Sequence, residues 1–198
     1  MSALILASSS PVRARLLRDA GVSFEVSPAE VDEREVKASL LADKRDANAI
    51  ADVLAELKAA WVSSAHPQAL VLGCDQILVF EGRLIDKSAD LAEARGLLQE
   101  LRGKPHNLLT ACVLAKAGAP VWRRLDRCTL WMRSFSDAFL DEYLQAEGDR
   151  VLASVGCYHL EGRGAQLFER VEGDYFSVLG LALIPLLGAL REHRVLET

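Results

Sequence analysis

Leu4-Ile5-Leu6-Ala7 runs without a polar residue into Ser8-Ser9-Ser10-Pro11, and Val12-Arg13-Ala14-Arg15-Leu16-Leu17 follows at once. The apolar run reads as a short buried strand. The serines are natural N-cap residues, and Pro11 suits the first helical position, where its missing N–H would be unpaired anyway. A strand handing over so abruptly to a helix presents free backbone N–H groups and partial positive charge, which suits an anion. Arg13 and Arg15 oppose the helix dipole and cost a little stability unless an anion is near. The segment alone leaves two readings open: a capped helix with solvated arginines, or an oxyanion site, most naturally for phosphate.

Further along, strands both alternate with helices and form hairpins. Gly21 is a helix stop, and Val22 to Val26 alternates as a half-buried strand. Residues 27–45 are polar, with Glu30, Asp32, Glu33, Arg34 and Glu35 close together, and read as a solvated loop. Asn48 to Val62 predicts a helix with Ile50, Val53, Leu54, Leu57 and Trp61 on one face. Ala69 to Gly73 is an apolar strand that Gln76 to Phe80 resumes, and Glu81-Gly82 turns it into Arg83-Leu84-Ile85. Asp90 caps a helix to Leu101 that Gly103 closes. His106 to Lys116 and Val121 to Arg133 are long strands, Ser136 caps a helix from Asp137 to Glu147, and Leu181 to His193 is a terminal amphipathic helix. This order predicts an α/β fold with a mixed sheet, in a single domain spanning residues 1–198.

A net charge of −5 argues against broad binding of duplex nucleic acid, while allowing a local basic pocket. Cys74, Cys112, Cys128 and Cys157 contain no C-x-x-C pair, which disfavours a zinc site and suits buried free thiols. Met1-Ser2-Ala3-Leu4 lacks the basic start of a secretory signal. The longest apolar stretch, Val178 to Leu190, is 13 residues and holds Gly180, Pro185 and Gly188. A membrane span needs roughly 20. The expectation is a cytoplasmic protein with no membrane segment.

Asp75 interrupts an apolar strand pattern, where an unpaired carboxylate is costly to bury. Gly73 just before it permits close approach of backbone or ligand. A carboxylate at such a strand end binds a metal or acts as a base, or else pairs with an arginine or faces solvent. Lys87 would neutralise phosphate charge if it stood beside that site, and is otherwise a solvated loop residue. Glu33 with Asp75 would satisfy a Mg²⁺ site, which needs one or two carboxylates besides water and substrate oxygens. Gly156 to Gly164 packs Cys157, Tyr158, His159, Glu161 and Arg163 between glycines. It matches neither G-x-G-x-x-G nor a Walker A motif, and no G-x-S-x-G elbow surrounds the early serines. No two of His66, His106, His159 and His193 have helical metal-ligand spacing, and most are expected at the surface.

Together these segments closely resemble the Maf family of nucleoside triphosphate pyrophosphatases, also called septum-formation inhibitors. The likeness runs through Leu6-Ala7-Ser8-Ser9-Ser10-Pro11 with Arg13 and Leu16-Leu17, then Val31-Asp32-Glu33 and Gly73-Cys74-Asp75-Gln76. It continues through Asp86-Lys87, Gly103-Lys104-Pro105-His106, Gly156-Cys157-Tyr158 with Glu161-Gly162, and Gly173-Asp174-Tyr175-Phe176 with Gly180-Leu181. The resemblance implies an elongated mixed sheet flanked by helices, with two lobes around a substrate cleft. It implies hydrolysis of a nucleoside triphosphate to monophosphate and pyrophosphate with a divalent metal, Mg²⁺ or Mn²⁺. At the matching positions Ser8, Ser10 and Arg13 would hold phosphates, with Lys58 and Lys87 adding positive charge. Glu33 and Asp75 would organise metal and water, with Asp75 as proton acceptor. The resemblance also allows a weak homodimer, whose interface no sequence feature marks.

Three positions bear on base choice. The subgroup acting on dTTP and UTP typically carries an arginine, a threonine and a glutamine where this chain has Val12, Gln76 and Glu161. Gln76 and Glu161 resemble the 7-methyl-GTP pyrophosphatase subgroup, whereas Val12 matches neither. A glutamate can accept from guanine N1–H and N2–H₂, and favours the positive charge of a methylated guanine. Ser88, Ser177 and Ala182 depart from the proline, asparagine and proline usual at those places. The alternatives are a dTTP/UTP pyrophosphatase, or a nucleotide-binding cell-division regulator with little turnover.

Overall fold

The computed structural model describes residues 3–197, so the reading of Met1 and Ser2 lies outside the described residues. In chain order the elements are β1 Leu4–Leu6, α1 Pro11–Asp19, β2 Glu25–Val26, α2 Glu33–Ala42, α3 Ala47–Ala65, β3 Leu70–Phe80 and β4 Arg83–Ile85. They continue with α4 Leu91–Leu101, β5 Pro105–Lys116, β6 Ala119–Met132, α5 Asp137–Glu147, β7 Phe168–Glu172, α6 Tyr175–Val178 and α7 Leu183–Glu192. Short 3₁₀ helices cover Gly148–Ala153 and Arg163–Leu167. The sheet runs β2-β1-β3-β5-β6-β7, with β4 on β3. β1 is parallel to β2 and β3, while β4 is antiparallel to β3 and β7 to β6. This is the expected α/β mixed sheet.

The chain gathers into two compact units that interleave in sequence. One comprises the residues up to Gln76, Thr110–Asp126 and those from Asp174 on; the other comprises Ile77–Leu109 and Arg127–Gly173. In the first unit the period-two alternation of β3 decides which helix each side chain meets. Leu70, Leu72 and Cys74 join Leu4, Leu6, the α1 leucines 16 and 17, and Leu183, Leu186 and Leu190 of α7 in one core. Val71 joins Ile5, Ala7, Ala69 and Val62 of α3 in another. In the second unit α4 packs on α5 and on the first 3₁₀ helix, burying Leu98, Leu101, Leu140, Leu144 and Val151.

Several expectations are corrected. Residues 33–42 of the anticipated loop form helix α2, capped by Asp32, whose side chain accepts from Glu35 N. α2 has no buried residue, so no apolar stripe could announce it. β3 runs unbroken through Asp75, which is a mid-strand and not a strand-end carboxylate. The buried face of α3 is Ile50, Ala51, Leu54, Ala55, Lys58, Ala59, Val62 and Ser63, whereas Leu57 and Trp61 are exposed. Alanines face the sheet there because α3 lies very close to β3: a Cβ on Gly73 would sit 2.2 Å from the Ala55 carbonyl oxygen. β2 is shorter than the Val22–Val26 pattern suggested, and β7 and α6 were not anticipated. All four cysteines are buried thiols, and none is in a disulfide. Among the described residues no helix is long and apolar enough to cross a membrane.

Candidate active site

At the start of α1, Ser10 is the N-cap and its Oγ accepts from Arg13 N at 3.4 Å. Ser8 Oγ accepts from Ser10 N at 3.3 Å and from Arg13 Nη1 at 3.0 Å. Arg13 is fixed further by donating from Nε to the Gly180 carbonyl at 2.8 Å and from Nη1 to the Cys74 carbonyl at 3.2 Å. A guanidinium carries five donors, so this anchoring leaves capacity for an anion. Arg13 thus stands pre-oriented at a helix N-terminus, where dipole and charge act together on negative oxygen.

The residue after Cys74 is Asp75, whose side chain points to the α3 face. Lys58 Nζ on α3 donates to Asp75 Oδ1 at 2.7 Å and pairs with Glu33 Oε1, at the first turn of α2, at 2.8 Å. The Lys58 and Asp75 side chains are only 10% and 8% exposed, against 57% for Glu33. A buried ion pair is costly to desolvate, and a second carboxylate on the same ammonium offsets part of that cost. Of the readings open for Asp75, pairing with a cation is realised, but with lysine and not arginine.

On the opposite face of β3, Gln76 Nε2 donates to Thr110 Oγ1 at 2.9 Å and to the Ser177 and Val178 carbonyls at 3.0 and 3.1 Å. Thr110 Oγ1 also donates to the Ser177 carbonyl at 2.7 Å. Ser177 Oγ in turn donates to Asp126 Oδ2 at 2.7 Å. Gln76 therefore clamps the segment that delivers Gly180 to Arg13. Thr110, Ser177 and the Gly180 carbonyl were not singled out as functional. Thr110, a lone hydroxyl in the apolar run of β5, carried the same signal as Asp75.

Val12 is half-buried against the leucine core. Lys87 and Glu161 belong to the second unit, where both are exposed, Lys87 after β4 and Glu161 in the turn before the second 3₁₀ helix. His106 is an exception among the histidines. It is 1% exposed, its Nε2 lies 2.7 Å from Tyr158 Oη, and its Nδ1 has no hydrogen-bond partner. Burial lowers its pKa to about 4.

A cation-lined helix start beside a lysine-bridged carboxylate pair, on a mixed sheet, places this chain among α/β proteins built to handle phosphorylated ligands. Within that class it belongs to the Maf-like protein family, whose model matches residues 3–193. A nucleoside triphosphate pyrophosphatase of Granulibacter bethesdensis is 50% identical over 193 residues, 98% of each chain. Another of that name, from Caulobacter vibrioides, is 50% identical over 99% of this chain and 98% of its own. A 7-methyl-GTP pyrophosphatase of Rhizobium etli is 47% identical over 96% of this chain and 95% of its own.

Proposed function

We propose that this chain is a metal-dependent nucleoside triphosphate pyrophosphatase that prefers a 7-methyl-GTP-like nucleotide and releases the nucleoside monophosphate and pyrophosphate. The observation that carries this reading is Lys58, shared between Glu33 and Asp75, the latter following directly on the Cys74 carbonyl that holds Arg13. The nucleoside triphosphate pyrophosphatases among its relatives support the reaction, and the 7-methyl-GTP pyrophosphatases support the base.

A triphosphate repels an incoming nucleophile until its charge is offset. Arg13 and the N–H groups of α1 take phosphate oxygens, helped by the Ser8 and Ser10 hydroxyls, and Lys58 adds positive charge. Asp75 orients the attacking water and accepts its proton, held steady by its place in an 11-residue strand. Glu33 and Asp75 fit a divalent cation, Mg²⁺ or Mn²⁺, because their hard oxygens already meet around one positive group. Such a site needs only one or two carboxylates, the rest of the shell being water and substrate oxygens. Bound there, the cation supplies polarisation of the phosphoryl oxygens and a lowered pKa for water. Glu161 favours a cationic methylated guanine by charge and by accepting its N–H groups.

The test is pyrophosphate release from a panel of nucleotides with Mg²⁺ or Mn²⁺. Faster release from 7-methyl-GTP than from dTTP or UTP is expected. Preference for dTTP or UTP refutes the base assignment, and no release from any triphosphate refutes the enzyme.

A further inference from the structure

Cys157 and Tyr158 are consecutive, yet each is tied to a different part of the second unit. Cys157 Sγ lies 3.3 Å from the Oγ of Ser88, the neighbour of Lys87. Its carbonyl accepts from Tyr143 Oη at 3.1 Å. Tyr158 Oη shares its 2.7 Å hydrogen bond with His106 of β5, and its ring stands edge-on to Phe168 with centroids 4.7 Å apart. The backbone is as constrained as the side chains. Cys157 adopts a φ of 57°, and a Cβ on Gly156 would lie 2.3 Å from the Tyr158 ring. Just beyond, Gly162 N donates to the His159 carbonyl at 3.1 Å, closing a turn with Leu160 and Glu161 at its centre. A Cβ on Gly164 would lie 2.5 Å from that same carbonyl oxygen. The turn has a buried, over-determined base and an exposed tip.

We propose that the Cys157–Tyr158 dipeptide, pinned by His106 and Ser88, is a positioning hub that fixes where Glu161 is presented and thereby sets discrimination between nucleobases. It rests on the pyrophosphatase reading above, which gives Glu161 its role at the base. A carboxylate on a loose loop gives back in ordering much of what its hydrogen bonds gain, so selectivity depends on support behind it. Both ties are made to persist. Burial keeps the Cys157 thiol protonated and His106 neutral, so neither contact is lost to ionisation near neutral pH. Through Ser88 the same hub steadies the segment that carries Lys87. None of the four hub residues is assigned contact with substrate: they are positioning residues.

Tyr158→Phe removes the hydroxyl and keeps the ring. The ratio of kcat/KM for 7-methyl-GTP over dTTP is expected to fall about tenfold, the scale of one hydrogen bond. The change should lie in KM for the methylated nucleotide, with kcat within about twofold. In an E161Q background the same substitution should change selectivity no further, because it acts through Glu161. Amide exchange at Gly162 and Ala165 should quicken while that of β5 stays the same. His106→Gln, whose side-chain amide can donate or accept near the position of Nε2, should keep the selectivity. Ser88→Ala, which severs the other tie, gives the same loss and serves where Y158F does not fold. Additive effects of Y158F and E161Q, or an unchanged ratio in both Y158F and S88A, overturn the hub. A wild type that releases no pyrophosphate fails the underlying reading, and the hub falls with it.

Discussion

Lys58 keeps an ammonium in nearly dry protein because two carboxylates share it, and the two are not equivalent. Asp75 is buried beside it, whereas Glu33 meets it from the exposed start of α2. Lys58→Met strands the Asp75 charge away from water and is expected to cost about 3–5 kcal/mol. Glu33→Gln removes a mostly solvated partner and should cost about 0–1 kcal/mol. Urea unfolding of the two variants measures the contrast, and equal losses would show that burial does not set the hierarchy. Asp75→Asn leaves Lys58 with Glu33, so the fold should survive while pyrophosphate release drops on the order of 10²–10⁴-fold, the range of lost general-base catalysis. Undiminished turnover would remove Asp75 from the mechanism.

At the scale of elements, the site depends on how closely α3 lies on β3. Gly73 makes that approach, and its substitution by alanine would place a Cβ 2.2 Å from the Ala55 carbonyl oxygen and 2.6 Å from the Ala59 amide nitrogen. Those are backbone atoms that no rotamer change can move, so α3 must shift, carrying Lys58 with it. Gly73→Ala is expected to lower stability by about 1–3 kcal/mol, the cost of overpacking. It should also depress turnover more than an equally destabilising change in α5, as matched thermal melts and pyrophosphate assays would reveal. The same packing explains what was legible in the sequence. Ser10-Pro11, Asp90 and Ser136 mark helix starts through local chemistry, and all three caps form. Glu81-Gly82 likewise turns β3 into β4 because the signal is local. α2 escaped because a helix without a buried residue writes no apolar period, and only the Asp32 cap and nearby glutamates hinted at it. β7 escaped because its exposed Glu169, Arg170 and Glu172 disguise the alternation. Asp75 stood out as an anomaly, but its partner lies on another element 17 residues away. Lys58 was therefore singled out through the family resemblance, and its bridging of Glu33 and Asp75 emerges from tertiary packing alone.

At the scale of the whole molecule, one buried imidazole makes stability depend on pH. An imidazolium at His106 would need acceptors for both N–H groups, and Nδ1 has none. Burial accordingly holds the folded-state pKa at about 4. In the unfolded chain the group titrates near pH 6.5, so between those two values the unfolded state binds more protons and stability rises with pH. The contribution is complete above about pH 6.5 and is lost progressively as pH falls toward 4. It amounts to about 3 kcal/mol on the scale of 1.36 kcal/mol per pKa unit. Urea midpoints of the wild type and His106→Gln, followed from pH 8 to 4, isolate this group from the carboxylates common to both proteins. The wild type should lose stability more steeply through the pH 6.5 to 4 interval, and the two curves should run parallel above it. A difference between the curves that does not change with pH would mean that His106 is not held neutral by its burial.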